Sequence, residues 1–557
     1  MIVPQNSTMD IQICFGLALV ESVLAYALSP THEIVSYLPR SHTLLFLVLF
    51  SSQWALVKIY RVFIYPAFFS PLRTIPGPKD NHFFFGQLVH LYRAVTPIEQ
   101  YMRWSSTWPD SPFIRYPILA NKEILLINTV EAHKQILQTK CYDFVKPKFL
   151  ERLLGEIVGT GLLFAESHEH KRQRKMILNV FSVPNMKKLL PVFQQKAEEM
   201  TSYIQRQLKE NSTCNIEVQS IYTKATLDAI GVAALGVELE NLRSEELKMD
   251  FLECYFRMLA QPPLSALISF IHVHIPIRKI IPIEANWGFI RAMRGVHSML
   301  DQCISQRIRD VQSTDREKVG GTESRDLLTY MIEEREAQSE DLTIGEIRGH
   351  LQNFLSAGHE TTSGALTWAS YVLATNPDIQ DKLRDEVIQS LGTIGLPSYA
   401  DIEGLHYMKI FLQEILRVYS PAPATWREAA KDVVICGQFL PKGTQLVLSP
   451  PVTNLSPRIW GPDALEFKPE RWDSLSGDGA TPYGIETFGN GPRICIGKSY
   501  SLLAFKTMMI ELIRNFRFTR SPDLEALGDK PMPVQNPAVT WRPKGGMTVH
   551  LEKIQWS

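Results

Sequence analysis

The run Phe488-Gly489-Asn490-Gly491-Pro492-Arg493-Ile494-Cys495-Ile496-Gly497 sets one cysteine among glycines, just ahead of an apolar helical stretch from Ser501 to Ile513. Backbone N–H groups aimed at a thiolate, and the N-terminus of a following helix, both favour the charged sulfur and lower its pKa. Gly491 and Gly497 allow a flat ligand to approach the backbone closely. Arg493 brings a fixed positive charge two residues before the sulfur, and Phe488 can pack against a ligated sulfur. A lone cysteine with no CxxC partner cannot make a closed zinc site, but it can be the single axial ligand of a haem. The remaining cysteines (14, 141, 214, 254, 303 and 436) are scattered, so the 7 in the chain form no disulfide scaffold.

A second group lies in Ala357-Gly358-His359-Glu360-Thr361-Thr362. Glycine followed by hydroxyl residues can bulge a helix and open a groove in it. His359-Glu360 does not continue into a zinc-protease HExxH pattern, because Ser363 stands where the second histidine is needed. Glu414 and Arg417 are three apart on a helical stretch and can pair on one face. His168 to Lys175 is a basic cluster.

These groups need long helices to hold them. From about residue 85 onward the pattern is mostly helical with a few short strands. Val192–Leu208 and Trp287–Val311 have helical spacing of apolar residues, and the polar stretch 312–324, with Gly320-Gly321, predicts an exposed loop. Thr343-Ile344-Gly345-Glu346 has capping-box spacing and opens a helix expected to run to about Ala374, before Asn376-Pro377. At 1.5 Å per residue it spans roughly 45 Å, enough to cross a domain.

The first 70 residues differ from the rest. Ile11 to Leu28 is mostly apolar, and Leu44 to Val57 carries no charge, with the apolar pattern continuing to Ile64 past Lys58 and Arg61. The second stretch reaches the roughly 20 residues of a membrane span if those two side chains snorkel, and their charge keeps its C-terminal side in the cytosol. Residues 1–43 are thus an N-terminal segment holding a candidate first membrane helix, which spans, lies in the interface or packs on the second; 44–64 are an anchor, 65–78 a proline-rich, stiff and extended hinge, and 79–557 the catalytic body. Asn6 and Asn211 begin glycosylation sequons; the first matters only if the N-terminus is lumenal. Leu264 to Ile277, flanked by prolines, predicts a greasy element at the membrane surface. Lys+Arg and Asp+Glu are both 58, which argues against a whole-chain nucleic-acid binder. No complete GxGxxG or P-loop is present, which argues against direct nicotinamide binding.

On these residues the chain resembles the cytochrome P450 family over about residues 75 to 550. The haem signature Phe-x-x-Gly-x-Arg-x-Cys-x-Gly is met at every defined position, and the overall look is that of a microsomal fungal enzyme. The resemblance implies a mainly α fold with small β-sheets behind an N-terminal transmembrane helix. It implies haem b, with Cys495 as the iron ligand and Phe488, Gly491, Gly497 and Ala357 lining the group. Its propionates would meet Arg493, Arg427, Arg174 and His170, the last standing where the family usually has tryptophan. Thr361 and Glu360 would serve proton delivery. Glu414, Arg417 and Arg471, from Phe467-Lys468-Pro469-Glu470-Arg471-Trp472, would form a buried structural triad. Family position puts Phe354, Ala422, Ala424, Thr425 and the turn near Gly545-Gly546 against substrate.

The implied activity is insertion of one oxygen atom from O2 into a hydrophobic substrate. Terpenoid or polyketide-derived intermediates of fungal secondary metabolism are the preferred class, and a fatty acid or xenobiotic is nearly as compatible. Electrons would come from NADPH through NADPH-cytochrome P450 reductase, with cytochrome b5 as a further partner. Lys171, Arg172 and Lys175 would form the docking surface. The expected location is the endoplasmic reticulum membrane with a cytosolic catalytic domain. One alternative is a haem-thiolate isomerase or dehydratase that needs no reductase, although such relatives often lose the helix threonine that Thr361 keeps. The other is a haem sensor or membrane scaffold, which has no need of a proton-delivery motif.

Overall fold

The computed structural model describes residues 7–28, 41–96, 98–208, 213–243, 251–259, 262–274, 277–278, 280–312, 326–337, 342–528, 530–536 and 539–556. The sequons at Asn6 and Asn211 and nearly all of the polar stretch 312–324 lie outside these residues.

Helix α1 (Ser7–Leu28) and helix α2 (His42–Ile59) precede the body. Helical backbone continues past α2 with wider turns from Tyr60 to Phe69, passing Pro66. His42–Phe69 is long and apolar enough to cross a membrane. The hinge is only partly extended as expected. Pro71–Thr74 closes a single tight turn, capped when Ser70 Oγ accepts the Leu72 N–H at 3.1 Å.

In the body, α3 (Lys148–Val158), α4 (Ser167–Leu178), α5 (Val183–Leu208) and α6 (Val218–Leu235) come first. Then follow α7 (Phe251–Leu259), α8 (Pro263–His274), α9 (Glu284–Gln312), α10 (Ile344–Thr375), α11 (His406–Val418) and α12 (Lys498–Asn515). Helix α10 is the axis of the fold. Its capping box forms as the spacing predicts: Thr343 Oγ1 accepts the Glu346 N–H at 3.2 Å, and Glu346 Oε2 accepts the Thr343 N–H at 2.8 Å. It ends one residue before Asn376-Pro377. Both flanks of α10 are buried along most of its length, which a roughly 48 Å helix achieves only by running through a core.

Helix α6 packs along α10 and needs small residues to come close. A Cβ on Gly358 would stand 2.7 Å from Ile230 Cγ1. Tyr222 and Ser370 share a buried hydroxyl bond at 2.7 Å, and Thr226 donates to the His359 carbonyl at 3.0 Å. Helix α12 packs on α5, and this helical group forms one continuous apolar core.

The strands are β1 (Phe113–Pro117), β2 (Glu123–Ile127), β3 (Phe144–Val145), β4 (Thr213–Glu217) and β5 (Thr425–Ala429). The rest are β6 (Val433–Ile435), β7 (Gln438–Leu440), β8 (Gln445–Leu448), β9 (Phe516–Thr519) and β10 (Thr548–Lys553). They make a five-stranded sheet in the order β1-β2-β8-β5-β3, a three-stranded sheet β4-β10-β9 and the hairpin β6-β7. Within the largest sheet only β2 and β8 run parallel. Its side chains form a second, smaller core. The fold is therefore mainly α with small sheets, as the sequence predicts. β5 matters most for the site, because its register sets Arg427 opposite Leu446 and buries it.

Candidate active site

The cysteine loop forms a tight turn at Gly491–Arg493 and leads through Gly497 into α12. The Cys495 N–H donates to the Phe488 carbonyl at 2.9 Å, which closes the loop on itself. Gly491 has φ +70° and stands so close to the helical turn Gln135–Thr139 that a Cβ would lie 2.1 Å from the Leu137 carbonyl oxygen. Only glycine meets both demands. The Gly497 N–H points at the sulfur, and the Lys498 ammonium lies over the Phe488 ring at 5.5 Å.

Cys495 lies deep among protein atoms, yet the residue is exposed. Both hold if the sulfur faces an internal opening. The thiol pKa corrects the sequence expectation. Burial pushes it up, and this outweighs the Gly497 N–H, Arg174 and Lys498, which all pull it down. Local dipoles alone do not make this sulfur a thiolate; a cation on the sulfur would.

The middle of α10 has one open face. Ala357 is exposed and Thr361 half-buried, although the helix is otherwise buried on either side of them. Four residues apart, they share a face. Thr361 Oγ1 donates to the Ala357 carbonyl at 2.8 Å. The bulge that Gly358 and the hydroxyls made possible does not form, since α10 is regular throughout. The opening comes from small side chains instead.

Glu360 turns away from that face into a polar nest. Tyr255 donates to its Oε2 at 2.8 Å, Thr540 donates to its Oε1 at 2.6 Å, and the Arg542 guanidinium stands 3.7 Å away. Beside them a pocket of about 10 Å³, lined in part by Gln219, Thr223 and Thr540, has room for one water. The Tyr255 hydroxyl pKa is raised well above its ordinary value by burial and then by the Glu360 carboxylate. His359 packs edge-on to Tyr255 at 5.1 Å, and its Nδ1 is 2.6 Å from the Leu355 carbonyl. Among the described residues no three side chains gather as a metal site of their own.

A buried cationic cluster stands beside the cysteine loop. Arg493 donates to the Ala165 carbonyl at 3.0 Å and pairs with Glu166, while its Nε is buried without a partner. Lys146 lies 3.5 Å from the same Glu166. Arg427 is buried and bonds only to its own strand, at the Trp426 carbonyl and the Thr425 hydroxyl. Arg174 has no acid partner among the described residues. His170 is buried, with its Nδ1 3.3 Å from the Tyr142 hydroxyl. The charges repel: burial and then Arg427 push Lys146 down to about 7, and burial and then Arg493 push His170 down to about 3. Burial and then Arg493 lower Arg427 to about 10. Among the described residues one carboxylate, Glu166, serves this whole group, so it is built for further negative charge. Lys146, Tyr142 and Glu166 escaped the sequence reading, and Val145-Lys146-Pro147 gives no local sign of them.

Glu414 and Arg417 are fully buried and 2.8 Å apart, not a surface pair. Arg471 reaches the same carboxylate at 2.9 Å and also Asp463 at 3.1 Å. The Lys468 N–H and Trp472 Nε1 complete the carboxylate's partners at 2.8 and 3.0 Å.

The expected substrate residues separate. Ala422 is exposed and Ala424 and Thr425 are half-buried. Phe354 is buried, with its ring stacked on Phe181 at 5.1 Å. The turn at Gly545-Gly546 sits against Glu217 at the start of α6: a Cβ on Gly546 would lie 2.7 Å from Glu217 Oε1. The segment that reaches α10 and Pro421 is instead Thr540–Arg542, with the Trp541 N–H on the Pro421 carbonyl at 2.8 Å. In the basic surface, Arg172 is paired with Glu169 at 2.6 Å and lies 3.7 Å from Glu346, while Lys171 and Lys175 are exposed.

An exposed cysteine inside the body, small side chains on a buried helix and an under-neutralised cation cluster with an orphaned Arg493 Nε fit a flat iron porphyrin with two carboxylates. The comparisons agree. The family described as Cytochrome P450 matches residues 76–549. The chain is 31% identical to the cytochrome P450 monooxygenase sphH of Aspergillus fumigatus, over 89% of this chain and 91% of that one. It is 28% identical to the cytochrome P450 monooxygenase ALT8 of Alternaria alternata, over 97% and 99% of the two chains. With the cytochrome P450 monooxygenase FUM15 of Gibberella moniliformis it shares 29%, over 89% and 91%. Because the match runs through the whole body and takes in the cysteine loop, the long helix and the cation cluster together, this protein belongs to the cytochrome P450 family, as an oxidoreductase of the monooxygenase type.

Proposed function

We propose that the protein is a membrane-anchored monooxygenase that inserts one atom of O2 into a hydrophobic intermediate of fungal secondary metabolism, terpenoid or polyketide-derived, with electrons from NADPH arriving through a separate reductase. Haem bound through Cys495 supplies the reductive activation of oxygen. The protein's own part is binding, orientation and proton supply. Arg493, Arg427, Arg174, Lys146 and, through a neutral ring, His170 would hold the propionates. Phe488, Gly491 and Gly497 would shape the site around the sulfur, and Ala357 would leave room for the group beside α10.

Glu360 takes protons from the small pocket beside Thr540, and rotation of its side chain toward the open face would deliver them to the Thr361 hydroxyl. Tyr255, Thr540 and Arg542 keep the Glu360 carboxylate aimed at that pocket. Ala422, Ala424 and Thr425 offer a mostly apolar wall, which suits a bulky hydrophobic substrate. Lys171 and Lys175, which are exposed and in no ion pair among the described residues, suit an acidic redox partner. Helix α8 exposes Leu264, Leu267 and Phe270 at helical spacing, a stripe suited to lipid. Such an anchor and stripe fit the endoplasmic reticulum membrane with the body in the cytosol.

The observation that carries this reading is Cys495, an exposed residue in a loop otherwise surrounded by protein, beside the open face of α10 and the cation cluster. A ferrous-carbon monoxide difference spectrum tests it: the wild type gives the thiolate-type Soret band and Cys495→Ser loses it. Turnover of candidate terpenoid and polyketide intermediates should then require NADPH and reductase. Product formed without them would favour the isomerase class.

A further inference from the structure

Helix α1 presents two unlike faces. Asp10, Cys14, Ala18 and Ser22, each four residues from the next, are 0–6% exposed and form one stripe against α2. Small side chains at that spacing let two backbones approach, as in helix pairs within bilayers. The outward faces are apolar: Ile13, Leu17, Val20, Val23, Leu47 and Leu56 are 49–65% exposed. So large an apolar surface around two joined helices has no solution in water and an immediate one in lipid.

Polar side chains on the two helices meet each other. Gln53 Nε2 donates to Glu21 Oε2 at 2.5 Å across the pair, and Arg61 pairs with Asp10. Ser22 and Ser52 donate within their own helices, to the Leu19 and Leu49 carbonyls at 2.9 and 3.0 Å. Intramembrane polar groups are tolerated in this arrangement, turned toward a partner helix or the backbone.

The pairs also give direction. Asp10 lies in the first turn of α1, and Arg61 lies just past the end of α2. The start of the first helix is therefore beside the end of the second, on the side where the chain continues into the catalytic body. From Ile11 to Leu28 is 18 residues, roughly 27 Å of helix, close to the bilayer's hydrocarbon thickness. Lys58, Arg61, Arg73 and Lys79 follow or end α2, whereas Arg40 is the one Lys or Arg between the helices. That asymmetry keeps the end of α2 cytosolic.

We propose that α1 and α2 cross the lipid bilayer together as an antiparallel hairpin, which places the N-terminus on the same cytosolic side as the catalytic body. This inference rests on the membrane-anchored reading above and deepens it. A single-span anchor makes the opposite statement about the N-terminus, and with it about the sequon at Asn6.

The test uses the full chain, expressed with an N-terminal epitope in sealed microsomes. External protease should remove the epitope without detergent, and Asn6→Gln should leave the electrophoretic mobility unchanged because Asn6 carries no glycan. A long flexible insert bearing an Asn-x-Ser sequon, placed between Ser36 and Tyr37, should be glycosylated. A protected epitope with glycan at Asn6 would overturn the hairpin in favour of one span. A digested epitope with an unmodified insert would also overturn it, leaving α1 on the cytosolic surface. Release of the chain by alkaline carbonate would instead sink the membrane-anchored reading itself.

Discussion

Replacing Arg417 by lysine keeps the charge and removes the fork. In the protein all five guanidinium N–H donors are used. Nε and Nη2 bond the two Glu414 oxygens, each at 2.8 Å. Nη1 bonds the Asn454 and Ala464 carbonyls at 2.9 and 2.6 Å, and Nη2 also bonds the Glu466 carbonyl at 2.9 Å. An ammonium has three donors on one atom, so at least two of these five bonds are lost. At about 1.5–3 kcal/mol for each bond to a charged group, the loss is about 3–6 kcal/mol. It reaches the cysteine loop through Asn454, whose side chain holds the Glu486 N–H and the Thr487 hydroxyl, both at 2.9 Å. Thr487 in turn donates to the Leu416 carbonyl at 2.6 Å and directly precedes Phe488. The assay is haem retained per mole of protein after gel filtration, with the ferrous-carbon monoxide spectrum followed on heating. About 3 kcal/mol is on the order of a 100-fold change in population, so a sharp loss of thiolate-type spectrum is expected. Arg458→Lys is the control: its side chain is 52% exposed, and the change should stay within about 0.5 kcal/mol. Equal haem retention and equal heat resistance in the two variants would refute the reasoning.

Gly491→Ala should yield mostly haem-free protein, since its Cβ would meet the Leu137 carbonyl and its φ is positive; wild-type haem content would remove the steric argument. Thr361→Ala should retain haem but divert reducing equivalents to peroxide, read as peroxide formed per NADPH consumed; unchanged coupling would show that the hydroxyl plays no part. Tyr255→Phe, which removes a donor from Glu360 and leaves the ring, should alter the solvent isotope effect on turnover more than haem binding, and an unchanged isotope effect would count against the nest. Burial pushes His350 from 6.5 down to about 4, and its Nδ1 accepts the Leu162 N–H at 3.2 Å. The unfolded chain then binds the extra proton first, so this contribution to stability is present above pH 6.5 and drains away as pH falls toward 4, by about 3 kcal/mol when complete. His350→Gln should flatten the loss of stability on acidification between those limits; an equally steep acid slope would assign it to other groups.

Local patterns in the chain are short-range physics, and those were legible. The capping box at Thr343–Glu346, the stop before Asn376-Pro377 and the glycine-rich cysteine loop each depend on neighbours within a turn or two. The partners of Glu360 were not legible. Tyr255 and Thr540 lie 105 and 180 residues away from it along the chain, and nothing in their surroundings marks them. Lys146 is hidden for the same reason. Phe354 was read by position along α10, but its ring direction depends on Phe181, which another segment supplies.

The sequence by itself determined that this chain carries a haem-thiolate motif on a mainly helical body behind an apolar N-terminal segment, because residue type and spacing specify turns, caps and spans. The tertiary structure alone decided that burial raises the Cys495 thiol, that Glu166 serves a crowded cation cluster, and that α1 lies beside α2. Desolvation and charge–charge energies sum over everything nearby in space, and proximity in space between distant segments exists only once the chain has folded.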